Sequence, residues 1–312
     1  MGLSILISSA VASGILLGVI YLNFFYRLPT DYGKYSQNGL RDDEAAIMAQ
    51  YSNSDITTLT GTNAFIIAEH KSRQQRTVTI NADGMIDAAG VKQSLYTTRY
   101  LDYEREIYYV ENISKGANIM GINTNIAERN YYDTQSGMVS VYQGSNIRER
   151  SADFEMDNPN QTVTLADWEN TNGTTPISFQ PYIVSTQTVL DATTPVACVL
   201  DDGSHGFSFR LRLNHKAAFL YVKQMKNLSK LADYPSFDYI NLEVFLNEDG
   251  TFNKITTDEK YYVKMAINVG TLSKLTYHFT YNDDIMFPYL DTKEREWKNS
   301  WAVRRFIFAL RW

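Results

Sequence analysis

Hydrophobic and polar positions along the chain change period three times. The first 26 residues carry no charged side chain. A helix over residues 2–26 is about 37 Å long, enough to cross a hydrocarbon core of about 30 Å. Tyr21, Phe24, Phe25 and Tyr26 then form an aromatic collar and Arg27 follows, the arrangement of an interface anchor. Residues 40–51 place Leu40, Ile47, Met48 and Tyr51 on one helical face, with Asp42, Asp43 and Glu44 in the first turn. A second short helix is expected near 63–70. From Arg76 onward the alternation is mostly that of strands.

The strand pattern predicts 77–80 ending at a turn over Asn81 to Gly84, then strands within 94–110, 138–142, 161–165 and 175–184. Two hairpins are clearer. One joins 196–200 to 207–213 through Asp201-Asp-Gly-Ser-His-Gly206. The other joins 242–246 to 251–255 through Asn247-Glu-Asp-Gly250, where Asp-Gly is a strong turn signal. Strands at 261–267 and 272–281 continue the meander, and 216–231 reads as a helix between strands. The fold class expected is mainly β (α+β): an N-terminal hydrophobic helix followed by antiparallel sheet with a few short helices. The divisions are an anchor helix at 1–27, a connector with short helices at 28–75 and a β-rich domain at 76–312. The polar stretch 144–175 is expected to be exposed loops or a partner-facing edge.

The leading segment lacks the basic n-region of a secretory signal, and its one Ala-x-Ala (Ala10 to Ala12) lies inside the apolar run, so a retained single-pass anchor is expected. Arg27, Lys34 and Arg41 favour a cytoplasmic body by the positive-inside rule. The Tyr-, Thr- and Asn-rich composition, with one Cys, favours an extracytoplasmic one, which is the expectation adopted. Ala10, Gly14 and Gly18 recur every four residues, a stripe that lets another helix backbone approach closely. Self-association, or packing with other envelope or pilus subunits, would use it.

Charge and chemistry remove several classes. Lys and Arg total 29 against 35 Asp and Glu, a net charge of -6, which gives no electrostatic case for nucleic acid. Cys198, in an apolar strand, reads as a buried small hydrophobe, and one cysteine makes no disulfide framework. His70, His205, His215 and His278 have no metal-ligand spacing, and no nucleophile or phosphate-loop motif is present. No catalytic residue, metal ligand or cofactor is therefore expected, and the cluster Asp201, Asp202, Ser204, His205 is what a hairpin loop requires. The tyrosines of 96–132 fit equally a recognition surface and a half-buried sheet. In the C-terminal segment 297–312, Phe306, Phe308 and Leu310 would share one face of a closing strand.

Two segments carry a resemblance. Residues 51–70, followed by Thr77-Val-Thr-Ile-Asn81, resemble a module of uncharacterised membrane-anchored surface proteins of low-GC Gram-positive bacteria. Residues 241–281, with the Asn-Glu-Asp-Gly turn and Lys260-Tyr-Tyr-Val-Lys264, resemble the sheet of lipoprotein-carrier-like extracytoplasmic domains. The first resemblance implies a non-enzymatic surface or assembly subunit, pilin-like in its sharpest form. The second implies a domain that holds an apolar ligand or lipid on a sheet face. A viral or conjugative envelope protein would use the same architecture. Ile5 stands where type IV pilins carry a glutamate, and the lipobox cysteine of carrier lipoproteins is absent.

Overall fold

The computed structural model describes residues 30–116, 125–155, 158–228, 231, 233–264 and 268–283. The anchor residues Ala10, Gly14, Gly18, Tyr21, Phe24, Phe25, Tyr26 and Arg27 lie outside these, as does the aromatic segment 297–312. Among the described residues no helix is long and apolar enough to cross a membrane.

Among the described residues, thirteen strands form one antiparallel sheet. They are β1 (Thr77–Ala88), β2 (Val91–Asp102), β3 (Ile107–Gly116), β4 (Ile126–Asp133), β5 (Met138–Ser145), β6 (Asp153–Phe154), β7 (Gln161–Thr164), β8 (Val189–Ala192), β9 (Val196–Val199), β10 (His205–Leu213), β11 (Ser236–Asn247), β12 (Phe252–Lys264) and β13 (Asn268–Tyr281). The order is β6-β5-β4-β3-β2-β1-β13-β12-β11-β10-β8, with β7 also on β5 and β9 also on β10. Two meanders are thus joined where β1 pairs with β13, from Val78 opposite Tyr281 to Ala88 opposite Thr271.

Among the described residues the α-helices that accompany the sheet are α1 (Gln37–Leu40), α2 (Glu44–Tyr51), α3 (Gly61–Arg73), α4 (Leu165–Asn172) and α5 (Val222–Leu228). Helix α3 starts where Thr60 accepts a hydrogen bond from the Asn63 amide at 3.3 Å and ends with His70, Lys71 and Arg73 in its last turn, where the helix dipole favours cations. Its apolar face (Ala64, Phe65, Ile67, Ala68) is buried in the main core. There Phe65 meets Phe252 at 4.9 Å between ring centroids, and Phe252 meets Phe279 at 5.4 Å. One face of the sheet, here the inner face, carries Ile80, Leu101, Phe209, Leu211, Ile240, Leu242, Val244 and Phe279 into that core.

Several expectations need correction. Asn81 to Gly84 is not a turn: β1 runs straight through it, with Asn81 opposite Thr98 on β2 and His278 on β13. Pairing on both sides overrides the local turn preference. Gly84 is there for another reason. A Cβ on it would sit 2.0 Å from the Lys274 carbonyl oxygen and 2.8 Å from Leu275 Cα, so β13 passes too close for any side chain. Gly84→Val is expected to destabilise the fold by about 1–3 kcal/mol or more, read as a lower urea midpoint with an unchanged m-value.

Residues 175–184 are not a strand. Pro176 and Pro181 cannot donate to a ladder, and the apolar run instead crosses the sheet as a strap with Phe179, Tyr182, Ile183 and Val184 buried. The 144–175 stretch is not all loop, since it holds β6, β7 and α4 with Trp168 buried. Residues 216–231 divide into a 3-10 helix (His215–Leu220) and α5. Cys198 is half-buried rather than buried, because β9 is a short edge strand whose Val196 and Val199 are exposed.

The tyrosines of 96–132 separate by parity. Tyr109, Tyr131 and Tyr142 form their own buried cluster on the outer face, with Tyr109 and Tyr131 at 4.8 Å, while Tyr108 stacks on Tyr132 at 6.0 Å in the main core. These residues are structural, packed across adjacent strands.

Candidate apolar-ligand cavity

Helix α3 covers only part of the inner face. The remainder lines a partly open cavity of about 310 Å³, within the size range of ligand pockets. Its wall comes from β12, β13, β1, β2, β3 and β4, and its roof from the strap and α5. Strands β12 and β4 are five steps apart, about 24 Å on a flat sheet. That both line one cavity shows that the sheet curls around it, as wide twisted sheets do.

Strand alternation sets the lining. Ile80, Ala82, Ile86 and Ala88 of β1 point inward, as do Leu95, Thr97 and Arg99 of β2 and Val269, Leu275 and Tyr277 of β13. Met225 and Leu231 face them from the roof. Most of the exposed wall is carbon. The polar residues on it are largely matched to one another. Thr97 Oγ1 donates to Asn112 Oδ1 at 2.9 Å. Asn130 Nδ2 donates to Glu128 Oε1 at 2.8 Å, and buried Trp168 Nε1 donates to Asn130 Oδ1 at 3.3 Å. Burial raises the Glu128 carboxyl above its ordinary range, and only the Asn130 bond opposes that.

The roof is pinned by one buried carboxyl. Glu259 of β12 accepts hydrogen bonds from Tyr182 Oη of the strap, at 3.0 Å, and from Tyr221 Oη just before α5. Burial pushes Glu259 up to about 7, Asp258 adds to this, and the bonds from Tyr221, Tyr182 and Ser273 pull the other way. Tyr182 and Tyr221 meet edge to face at 5.6 Å, and Tyr221 continues to Phe237 and Tyr261. With its oxygens engaged by three hydroxyls, Glu259 serves as a clamp between wall and roof.

The other end of the strap is tied to α3. Gln180 Nε2 donates to Glu69 Oε2 at 3.3 Å, and the Tyr182 amide donates to Gln180 Oε1 at 2.5 Å. Glu69 in turn pairs with Arg73 at 2.6 Å and with Arg41 at 3.5 Å.

Of the residues singled out in the sequence, Tyr261 and Val263 of the Lys260-Tyr-Tyr-Val-Lys264 strand line this cavity, whereas the hairpin residues Asp201, Asp202, Ser204 and His205 do not. The hairpin cluster is a turn: the Ser204 amide and hydroxyl both donate to Asp202 Oδ1, at 2.9 and 2.7 Å, and Lys254 pairs with Asp201 at 2.5 Å. Asn247 to Gly250 is likewise a turn, with Gly250 at φ +82°. Among the described residues no group of three or more His, Cys, Asp or Glu is placed to hold a metal. Sequence reasoning missed the cavity because its walls come from strands far apart in the chain. The legible signal was the set of polar residues (Thr97, Arg99, Asn112, Glu128, Glu259) on strand positions with an apolar or aromatic residue two positions away on one side: Leu95, Leu101, Val110, Ile126 and Tyr261.

No family model matches the chain, and no curated protein does. Among solved structures, the Mycobacterium tuberculosis lipoprotein LppX is similar at a TM-score of 0.37 and 8% identity, over 72% of this chain and 96% of that one. A candidate AttH from Nitrosomonas europaea is similar at 0.19 and 7% identity, over 69% of this chain and 54% of that one. Likenesses this distant say nothing about ligand or role. The cavity's own lining does.

Proposed function

We propose that this chain binds one apolar ligand, of lipid character, in the cavity between the curled sheet and its strap. The observation that carries this reading is a partly open, mostly carbon-lined cavity of about 310 Å³ beside a core that is otherwise filled by aromatic and aliphatic packing. Apolar surface left uncovered in this way is unfavourable in water and is relieved by an apolar guest. We also propose that the protein is non-enzymatic and that residues 1–27 tether the body to the cell membrane, with the body extracytoplasmic. The charge-free leading segment supports the tether, and the Tyr- and Thr-rich body supports its placement. An envelope or pilus-like assembly role depends on Ala10, Gly14 and Gly18, which lie outside the described residues, whereas the cavity lies within them.

Leu95 tests the reading. It is half-buried, sits mid-wall on β2 and lies opposite Gly84 on one side and Ser114 on the other. Leu95→Trp fills the free space beside it. At roughly 0.3 kcal/mol per ligand atom, excluding about five atoms weakens binding by at least about tenfold. The measurement is the fluorescence titration of an environment-sensitive acyl probe. Unchanged affinity in Leu95→Trp, with the fold intact by circular dichroism, excludes this cavity as the site.

A further inference from the structure

Arg99 stands out on the cavity wall. It lies on β2 between Ile80 of β1 and Val110 of β3, both buried apolar residues. A guanidinium has five N–H donors. One of them, Nη1, donates to the Ser178 carbonyl of the strap at 3.2 Å, and among the described residues no other hydrogen bond and no carboxylate engages it. What remains accessible of its side chain opens on the cavity that it lines. Glu128 and Glu259 share that cavity, but each is committed elsewhere, to Asn130 and to the two roof tyrosines. Tyr277, one strand beyond Ile80 and one row along, lines the same wall, and its hydroxyl has no hydrogen bond among the described residues.

Keeping a guanidinium in such a place is costly without an anion beside it. Burial lowers Arg99 to about 10, with Tyr277 opposing, so it is still a cation at neutral pH. From Arg99 the apolar wall runs along β1 from Ile80 to Ala88, about 26 Å at roughly 3.3 Å per residue. The cavity therefore has a head and a tail: a fork of donors at one end and a carbon-lined trough leading away.

Resting on the apolar-cavity reading and refining it, the structure assigns the ligand as a single-chain amphiphile with an anionic head, a long-chain carboxylate, whose carboxylate is held by Arg99 and Tyr277. Planar, two-point recognition of a carboxylate is what an arginine fork provides and an ammonium does not.

The test uses the full-length chain in its own membranes, depleted of ATP and coenzyme A so that the probes stay unmodified. Two photoactivatable C16 probes are compared, one a fatty acid and one the matching fatty alcohol. Cross-linked residues are located by peptide mass spectrometry. The wild type is expected to label cavity residues with the acid at least about tenfold more than with the alcohol. Arg99→Met is expected to bring the two within about twofold by loss of acid labelling, and Arg99→Lys to keep only part of the preference. With both proteins stripped of ligand, the melting temperature of Arg99→Met should be no lower than that of the wild type, since an unmatched buried charge has been removed. Equal labelling by acid and alcohol in the wild type, or a preference that survives in Arg99→Met, overturns the headgroup assignment while leaving the apolar cavity standing. Labelling of cavity residues by neither probe overturns both.

Discussion

Glu69→Ala is expected to lower stability by about 3–5 kcal/mol, the range for breaking a buried charge pair from one side. Glu69 is 5% exposed and carries three cationic or polar partners at once. Arg73 reaches it with Nη2 at 2.6 Å and Nε at 3.1 Å, Arg41 with Nη2 at 3.5 Å, and Gln180 of the strap with Nε2 at 3.3 Å. Removing the carboxylate takes Arg73's ion-pair partner, leaves Arg41 with Glu44 at 3.2 Å and an Nε that lacks a partner, and cuts the Gln180 tie between strap and α3 in the same step. Burial alone would raise the Glu69 carboxyl, but Arg73 first and Arg41 next more than reverse this and hold it below its ordinary 4.5. Its contribution is therefore complete above that value and is lost as the pH falls through the depressed folded value. Urea unfolding of Glu69→Ala and wild type at pH 7, followed by tryptophan fluorescence, measures the difference. A loss under 1 kcal/mol would show that the pair does not anchor the strap.

The second large effect has the opposite pH sign. Glu259→Gln is expected to stabilise the protein at pH 8 by up to about 3 kcal/mol and to leave it little changed at pH 4. The folded carboxyl sits at about 7 against an ordinary 4.5. Between those values the folded state binds the extra proton, so wild-type stability falls as pH rises across the window, at about 1.4 kcal/mol per pH unit from this group. Glutamine keeps an acceptor for Tyr182 and Tyr221 and has no charge to bury. The slope between pH 5 and 7 should flatten in the variant. If Glu259→Gln is instead destabilised at pH 8, the carboxylate is the form that the clamp requires. Taken together with Glu69, the wild type should be most stable in mildly acidic solution.

How much of this was legible beforehand depended on whether the signal was local. The turns at Asp201 to Gly206 and Asn247 to Gly250, the strands beside them and the helices around 44–51 and 61–73 follow from spacing and turn chemistry. Helix α4 was legible and overlooked: Thr164 accepts from the Asp167 amide at 3.1 Å and Gly173 closes the helix at φ +73°. The Asn81 to Gly84 error has another origin, because only β13, nearly two hundred residues away in sequence, turns that glycine from a corner into a point of close approach. The cavity was illegible for the same reason. Arg99, Glu128 and Glu259 look like ordinary strand residues until β1 pairs with β13 and brings the two meanders around one space. The strap looked like a strand because its apolar run is buried, and its two prolines were the warning.

The claim on which the rest depends is that this space holds a guest. A native mass spectrum of the full-length chain, ejected directly from vesicles of the cells that make it, reads that occupancy without an added ligand. One amphiphile per chain in the wild type, lost in Leu95→Trp, is the predicted result. A bare wild-type mass, or an adduct that Leu95→Trp retains in full, would contradict it.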